Sequence, residues 1–260
     1  MMEIPVDSWY DAIFQRHSHR KYSGETPNED LTSRIERVCD EFRPFPGARA
    51  VLVKDSGKAV FKGAVGEFFY KVTETPYYIV FIGNMGFDNI HSVTGYTGEG
   101  IILEATSLGL NTCWVGGFYR REEVLKQLDL QGNEQVLAIT PIGYSKDDAD
   151  RVGVSSKAYR RKSMDKLVRS GDINSKGWIR TALESVRVAP SAANRQPWRF
   201  SIREDSILIS TNNNAGEFGV SKKLDCGIAM LHLELGARKA GVKGHWDFLS
   251  EPDVAEYKIS

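Results

Sequence analysis

The sequence predicts an α+β fold whose two pseudo-symmetric halves repeat one order of elements within a single chain. Short β-branched or aromatic runs alternate with longer segments in which apolar residues recur every three or four positions. The small residues of one long helical pattern also align without gaps on those of a second. The aligned pairs are Gly95 with Gly227, Ala105 with Ala237 and Gly109 with Gly241. Three identities alone do not exclude chance, so the shared order of elements carries this prediction.

The first half is predicted to begin with two helices. Residues 8–15 have a short helical pattern. Thr26 can cap the second helix, Pro27 suits its first position, and Glu29 can complete a capping box. The rest of this half alternates strands and helices. Strands are predicted over residues 50–53, 77–82, 111–118 and 135–144, and helices over residues 94–110 and 121–128.

The second half repeats this alternation after a polar connecting segment over residues 146–161. We therefore place a first half at residues 1–150 and a second at residues 151–260, which together form one compact unit. Its predicted elements are a helix over residues 178–188, a hairpin of strands 198–202 and 206–210, a long helix over 224–240 and a strand over 242–248.

Composition excludes several classes of protein. The 260 residues are 41% hydrophobic and 26% charged, which is typical of a globular chain. The formal net charge is zero, so no general electrostatic footprint for nucleic acid or a membrane surface exists, and any anion site is local. The three cysteines lack the spacing of a zinc site or a disulfide framework. With no run of about 18 apolar residues and no secretory leader pattern, we expect a cytoplasmic protein.

Two basic segments are candidate anion sites. In an extended RHSHR segment, Arg16, Ser18 and Arg20 would face the same way, and guanidinium forks with a hydroxyl suit a phosphate. His17 lies in the same segment. The second candidate is the cluster Arg160, Arg161 and Lys162. The alternative interpretations are a solvated basic face and a solvated linker.

The segment APSAANRQPW, residues 189–198, is a candidate site for a flat heteroaromatic ring. Its small residues let backbone groups reach a ring edge, and Ser191 and Asn194 can each donate and accept hydrogen bonds. Its prolines reduce the ordering cost of binding. The alternative is a structural turn anchored by Trp198. Gly116 and Gly117 can present unshielded N–H groups to a ligand, although a glycine pair alone is weak evidence.

These motifs together resemble the nitroreductase-type flavoprotein family, which depends on flavin mononucleotide (FMN). The shared patterns are RxSxR, APSAxNxQPW, LEATSLGL, WVGGF and IGY, between residues 16 and 248. The resemblance implies a nitroreductase-like fold, with a central, mainly antiparallel sheet flanked by helices. Family members are usually homodimers with two FMN clefts, in which one subunit provides RxSxR and the glycines and its partner provides PSxxN.

In this chain the PSxxN pattern occurs only in the second half, and the double glycine occurs only in the first. The chain therefore resembles the internally duplicated, fused-dimer variant typified by nitroreductases of Thermotoga. The resemblance implies one FMN per chain, in a monomeric pseudo-dimer, with dimerisation through another surface left open. The implied cofactor-binding residues are Arg16, His17, Ser18, Arg20, Arg160, Arg161 and Lys162 at the phosphate, Pro190, Ser191, Ala192 and Asn194 at the ring edge, Gly116 and Gly117 near N5, and Gln196 shaping the loop.

The resemblance also implies an FMN-dependent oxidoreductase that uses NAD(P)H and reduces nitroaromatics, quinones or similar small acceptors. The cofactor would perform the chemistry, so we expect no catalytic side chain and no metal. Phe118 and Tyr119 are candidates for an aromatic wall, and residues 54–72 for a lid. Two alternatives stay open. One is a specialised flavin enzyme, such as a reductive dehalogenase or a flavin-fragmenting enzyme, and the other is a flavin-binding protein without turnover.

Overall fold

The computed structural model describes residues 2–61, 72–146, 160–212 and 219–260. Nine strands in this part of the chain form two sheets. The first sheet has the order β1-β2-β4-β3, and the second has the order β5-β6-β7-β9-β8. The strands are β1 Ala48–Val53, β2 Tyr77–Asn84, β3 Asn111–Thr112, β4 Glu134–Gly143, β5 Val168–Ser170, β6 Trp198–Ile202, β7 Ser206–Thr211, β8 Gly244–Phe248 and β9 Asp253–Ile259.

Every strand pair is antiparallel except β5 with β6. The helices are α1 Val6–Gln15, α2 Glu29–Glu41, α3 Gly57–Phe61, α4 Ile90–Ser107, α5 Arg121–Leu125, α6 Met164–Leu167, α7 Gly177–Arg187 and α8 Lys222–Lys239. The α+β class with mainly antiparallel sheets is confirmed, although the strands divide between two sheets. None of the described helices is long and apolar enough to cross a bilayer.

The two sheets repeat one topology. Strands β1, β2, β4 and β3 have the same neighbours in the first sheet as β6, β7, β9 and β8 have in the second. In each half the long helix, α4 or α8, follows the second strand of this set. The main hydrophobic core takes side chains from both halves, including Trp9 and Phe81 from the first and Trp198 and Phe200 from the second. The predicted boundary near residue 150 lies outside the described residues.

The long helices α4 and α8 cross where the aligned glycines lie. A Cβ atom on Gly95 would come within 2.0 Å of the Leu224 carbonyl oxygen, and one on Gly227 within 1.9 Å of the Ser92 carbonyl oxygen. Each glycine thus faces the residue three positions before the other glycine. This reciprocity is the pattern of a contact across a two-fold axis, here between two halves of one chain.

The two helices also end alike. Gly109 and Gly241 follow α4 and α8 with φ angles of 77° and 81°, the left-handed conformation that glycine adopts without strain. The amide after each glycine bonds back to an aligned alanine carbonyl, Ala105 at 2.9 Å and Ala237 at 3.0 Å. The small residues that align in the sequence therefore occupy equivalent places in the structure.

Some predicted boundaries are wrong. Asn28, not Thr26, caps α2, because its side chain accepts a hydrogen bond from the Leu31 amide at 2.9 Å and asparagine is the stronger capping residue. The strand predicted over residues 111–118 is limited to β3, followed by an isolated bridge at Val115. Val115 exchanges two backbone hydrogen bonds with Ile139 of β4, each at 2.9 Å, while the indole of Trp114, which lies between β3 and Val115 in the chain, donates to Glu99 on α4. Strands β5 and β9 were not predicted.

Candidate functional site

The RHSHR segment is extended and lies along β3. Ser18 forms a parallel bridge with Thr112, and the His19 amide donates to the Thr112 carbonyl at 2.9 Å. Alternate side chains of an extended segment project to the same side, and this is the basis of the prediction that Arg16, Ser18 and Arg20 face one way. Arg16 is buried, Ser18 is half-buried and Arg20 is exposed.

Arg16 is a buried cation with hydrogen-bonding capacity left over. Its side chain is 3% exposed, and within the described ranges it faces the carboxylate of Glu99, whose Oε1 lies 3.7 Å from the Arg16 Nε. Nε and Nη1 of Arg16 have no hydrogen-bond partner among the described residues, and neither has Nε2 of His17, whose Nδ1 bonds to the Gln15 carbonyl at 2.9 Å. The two Arg16 nitrogens are buried donors without partners, which is costly, so they indicate a place for an anion.

The loop between α7 and β6 is held by a buried ion pair. Nε of Arg195 lies 2.6 Å from Oδ2 of Asp225 at the start of α8, and Oδ1 accepts the Ala192 amide at 3.0 Å. Burial raises the pKa of Asp225 to about 6, and Arg195 and the amide oppose that rise. The carboxylate is therefore ionised at neutral pH and fixes the loop to α8.

The loop backbone is strained. Ala193, Asn194 and Gln196 have φ angles of 49°, 53° and 47°. Such non-glycine residues cost on the order of 1 kcal/mol each and persist only where the surroundings hold them. Here the Gln196 amide donates to Oγ of Ser191 at 2.9 Å, and the Lys162 amide donates to Oε1 of Gln196 at 2.7 Å.

The predicted second basic cluster supports this loop directly. Arg161 donates to the Val188 and Ala189 carbonyls, each at 2.8 Å, and to Oδ1 of Asn194 at 2.9 Å. Lys162 donates to the carbonyl of Arg195 at 2.7 Å, and burial lowers the pKa of this lysine. The Arg160 carbonyl accepts from Nδ2 of Asn194 at 2.8 Å. Both charged side chains are thus engaged with the loop, and their predicted role at a phosphate stays a prediction.

Gly116 brings the first half into contact with this loop region. A Cβ atom on Gly116 would lie 2.3 Å from Cγ2 of Val220, and the Val220 carbonyl accepts from Arg195 at 2.7 Å. Gly117 is exposed, with open space where a Cβ would be. Phe118 is also exposed and Tyr119 half-buried. Most of the candidate lid, residues 62–71, lies outside the described residues.

Sequence reasoning missed the buried carboxylate of Glu99, which connects Arg16, Trp114 and helix α8. Glu99 on α4 accepts from Nε1 of Trp114 at 2.7 Å, and its other oxygen lies 2.9 Å from Nε2 of His232 on α8. That same oxygen faces Arg16. The signal available was an acidic residue and a histidine flanked by apolar or small residues within the two long helices.

A groove lies before β1, at the position that corresponds to the loop before β6. Its volume is about 570 Å³, and its lining includes Arg43, Phe45, Gly47 and Phe87. Phe45 packs edge-on against Phe248, with ring centroids 5.2 Å apart. Aromatic packing thus takes the place of the polar network of the second half.

Comparison with known proteins identifies relatives. The family model described as "Putative TM nitroreductase" matches residues 8–237. A "putative nitroreductase" from Thermotoga maritima has a similar structure over 100% of this chain and 97% of its own, with 21% identity and a TM-score of 0.68. An FMN-dependent nitroreductase from Clostridium difficile R20291 matches 64% of this chain and 95% of its own, with 21% identity and a TM-score of 0.43. No curated protein matches the chain. The first of these structures shares the fold of the whole chain.

Proposed function

The chain belongs to the "Putative TM nitroreductase" family, and from that premise we propose that it is an FMN-dependent oxidoreductase. It would take a hydride from NAD(P)H and reduce a nitroaromatic, a quinone or a similar small acceptor. We propose one FMN per chain, bound between the halves 1–150 and 151–260 of a monomer that arose by internal duplication. The three cysteines are buried and free, which suits a reducing compartment such as the cytoplasm.

The observation that carries this proposal is the buried guanidinium of Arg16. Two of its nitrogens have no hydrogen-bond partner in the described part of the chain, and the segment around it is extended and basic. A phosphate monoester would satisfy these donors with charge-assisted hydrogen bonds. The residues present therefore fit the phosphate of FMN.

The rest of the proposed cleft binds and orients the ring. Bound FMN supplies the hydride-accepting chemistry. Arg16, His17, Ser18 and Arg20 would hold the phosphate, and the loop containing Pro190, Ser191, Ala192 and Asn194 would contact the ring edge. Gly116 and Gly117 would bring their amides to the N5 region. Arg160, Arg161 and Lys162 are also proposed at the phosphate, and together with Gln196 they would keep the strained loop in the shape that the ring requires.

The test is to titrate the purified protein with FMN while measuring flavin fluorescence and the mass of the complex in solution. We expect one FMN per monomeric chain and, with NAD(P)H and a nitroaromatic, steady-state turnover. Two equivalent flavins per chain would contradict the single cleft. Binding without turnover for any nicotinamide or acceptor would favour a flavin-binding protein, and no flavin binding would overturn the proposal.

A further inference from the structure

The hydrogen bonds of His232 and Glu99 require one proton more than a neutral imidazole and an ionised carboxylate carry together. Nδ1 lies 3.1 Å from the Ser185 carbonyl oxygen, which can only accept, so Nδ1 carries a hydrogen. Nε2 lies 2.9 Å from Oε1 of Glu99. A lone pair on Nε2 facing a carboxylate lone pair would be repulsive in a site with no exposure, so a proton lies between these two atoms.

The charge of the cluster follows from this proton. Whether the proton belongs to the imidazole or to the carboxyl group, Glu99 and His232 together are neutral. Other groups that face the pair are the guanidinium of Arg16 and the indole of Trp114. The next carboxylate along α4, Glu104, is instead bonded to Trp9 and Arg34. The positive charge of Arg16 is therefore not cancelled within the cluster.

We propose that His232 makes the cleft selective for a flavin that carries a phosphate. By sharing a proton with Glu99, it prevents that carboxylate from neutralising Arg16, and the uncompensated cation then attracts the phosphate. In a buried site such an interaction is little screened by solvent. His232 is a positioning residue that acts through Glu99 and Arg16. This inference rests on the proposed function.

Two variants shift the charge of the cluster in a known way. In His232→Gln the side-chain amide can still donate to Glu99, but the carboxylate is now fully anionic beside Arg16. In Glu99→Gln the amide can donate to a neutral His232 and its oxygen can accept from Trp114, so Arg16 stays uncompensated. The measurement is the ratio of FMN affinity to riboflavin affinity at one pH near neutral. Riboflavin lacks only the phosphate.

We expect His232→Gln to lower this ratio about fivefold or more, the lower end of typical coupling between sites, while Glu99→Gln stays within about twofold of the parent protein. Glu234 on α8 supplies a matched control. Its buried carboxylate accepts from Trp246 at 2.8 Å and Tyr96 at 2.6 Å, and it pairs with Arg238. Glu234→Gln therefore removes a similarly buried carboxylate charge outside the proposed cleft, and the ratio should not change.

An unchanged ratio of FMN to riboflavin affinity in His232→Gln would overturn the inference. An equal fall of this ratio in His232→Gln and Glu99→Gln would overturn it too, because it would indicate a structural role alone. If the parent protein binds FMN and riboflavin equally well, the phosphate site itself is wrong. If it binds neither, the proposed function fails, and this inference fails with it. If the ratio falls in His232→Gln but not in Glu99→Gln or Glu234→Gln, the effect comes from the charge beside Arg16 and not from a loss of packing.

Discussion

The loop before β6 and the segment before β1 occupy corresponding places in the two sheets but differ in chemistry. The first is tied by Arg195, Asp225 and a set of hydrogen bonds to carbonyl groups, and it includes three residues with positive φ. The second is RPFPG, in which Phe45 packs between Tyr96 and Phe248 with centroids 5.1 and 5.2 Å away. The same strand frame thus supports a strained polar loop on one side and relaxed aromatic packing on the other.

This difference shows what the shared frame does and what it leaves to the loops. The two halves share their strand order, and they contribute equivalently to the helix crossing. These features therefore cannot explain why a ligand would bind to one loop and not to the other. The strained backbone belongs to the second half, whereas the buried cation Arg16 and the glycine pair belong to the first. The capacity to bind a cofactor is therefore a property of local side chains rather than of the fold.

The largest expected effect on stability comes from disrupting the contact between α4 and α8. The double variant Gly95→Ala and Gly227→Ala places two methyl groups against backbone oxygens and forces α4 and α8 apart. We expect a loss of roughly 6 kcal/mol in the free energy of unfolding, about 3 kcal/mol per site. Urea denaturation measures it. Gly177→Ala, where the structure leaves open space, is the control and should be close to neutral.

The second prediction concerns the ion pair of the loop before β6. Arg195→Met leaves the Asp225 carboxylate buried without its cation and should cost about 3–5 kcal/mol at pH 7. Because burial already raises the pKa of Asp225 to about 6, loss of Arg195 raises it further, and the carboxyl group becomes neutral as the pH falls. The cost should therefore be smaller at pH 5 than at pH 7.

The control for this prediction lies beside the groove. Arg49 and Glu134 form an ion pair of similar length, 2.7 Å compared with 2.6 Å, but both side chains retain contact with water. Arg49→Met should cost no more than about 1 kcal/mol, with little change between the two pH values. A cost for Arg195→Met that is equally small would show that the loop does not depend on its buried pair.

The third prediction compares two arginines as anion sites. Arg16→Ala should weaken FMN binding by about 1.5–3 kcal/mol, the value of a hydrogen bond to a charged group, and riboflavin binding far less. Arg20→Ala should act in the same direction. Arg43→Ala in the groove should leave both affinities unchanged. Equal losses for FMN and riboflavin in the Arg16 variant would place the phosphate elsewhere.

The smallest effect on stability is expected from a change in the aromatic segment before β1. Phe45→Leu retains most of the buried apolar area but removes two edge-on ring contacts, each worth about 0.5–1.5 kcal/mol. Thermal denaturation should show a small loss of stability, and FMN titration should show none in affinity. A clear loss of FMN affinity would mean that the groove and the cleft are coupled.

The longer helices and most strands could be predicted along the chain because they depend on local periodicity and on small residues at regular spacing. Gly95 and Gly227 were found in this way. Glu99 and His232 could not be paired, because they meet only when two helices from different halves cross. The capping position at Asn28 was missed because Thr26 and Asn28 can both cap a helix, and asparagine is the stronger capping residue. Strand β9 has charged residues among its apolar ones, so its pattern alone was too weak.

The helix crossing also has a consequence for the order of folding. About half of the chain lies between Gly95 and Gly227, and neither helix can bury its small-residue face without the other. During synthesis, α4 emerges on the order of ten seconds before α8, at a typical elongation rate of about 5–20 residues per second. For that interval the face stays uncovered, and the first half can complete its core only when the last third of the chain arrives. Contacts this distant in sequence fold slowly, so the nascent chain spends its most aggregation-prone period waiting for a single helix.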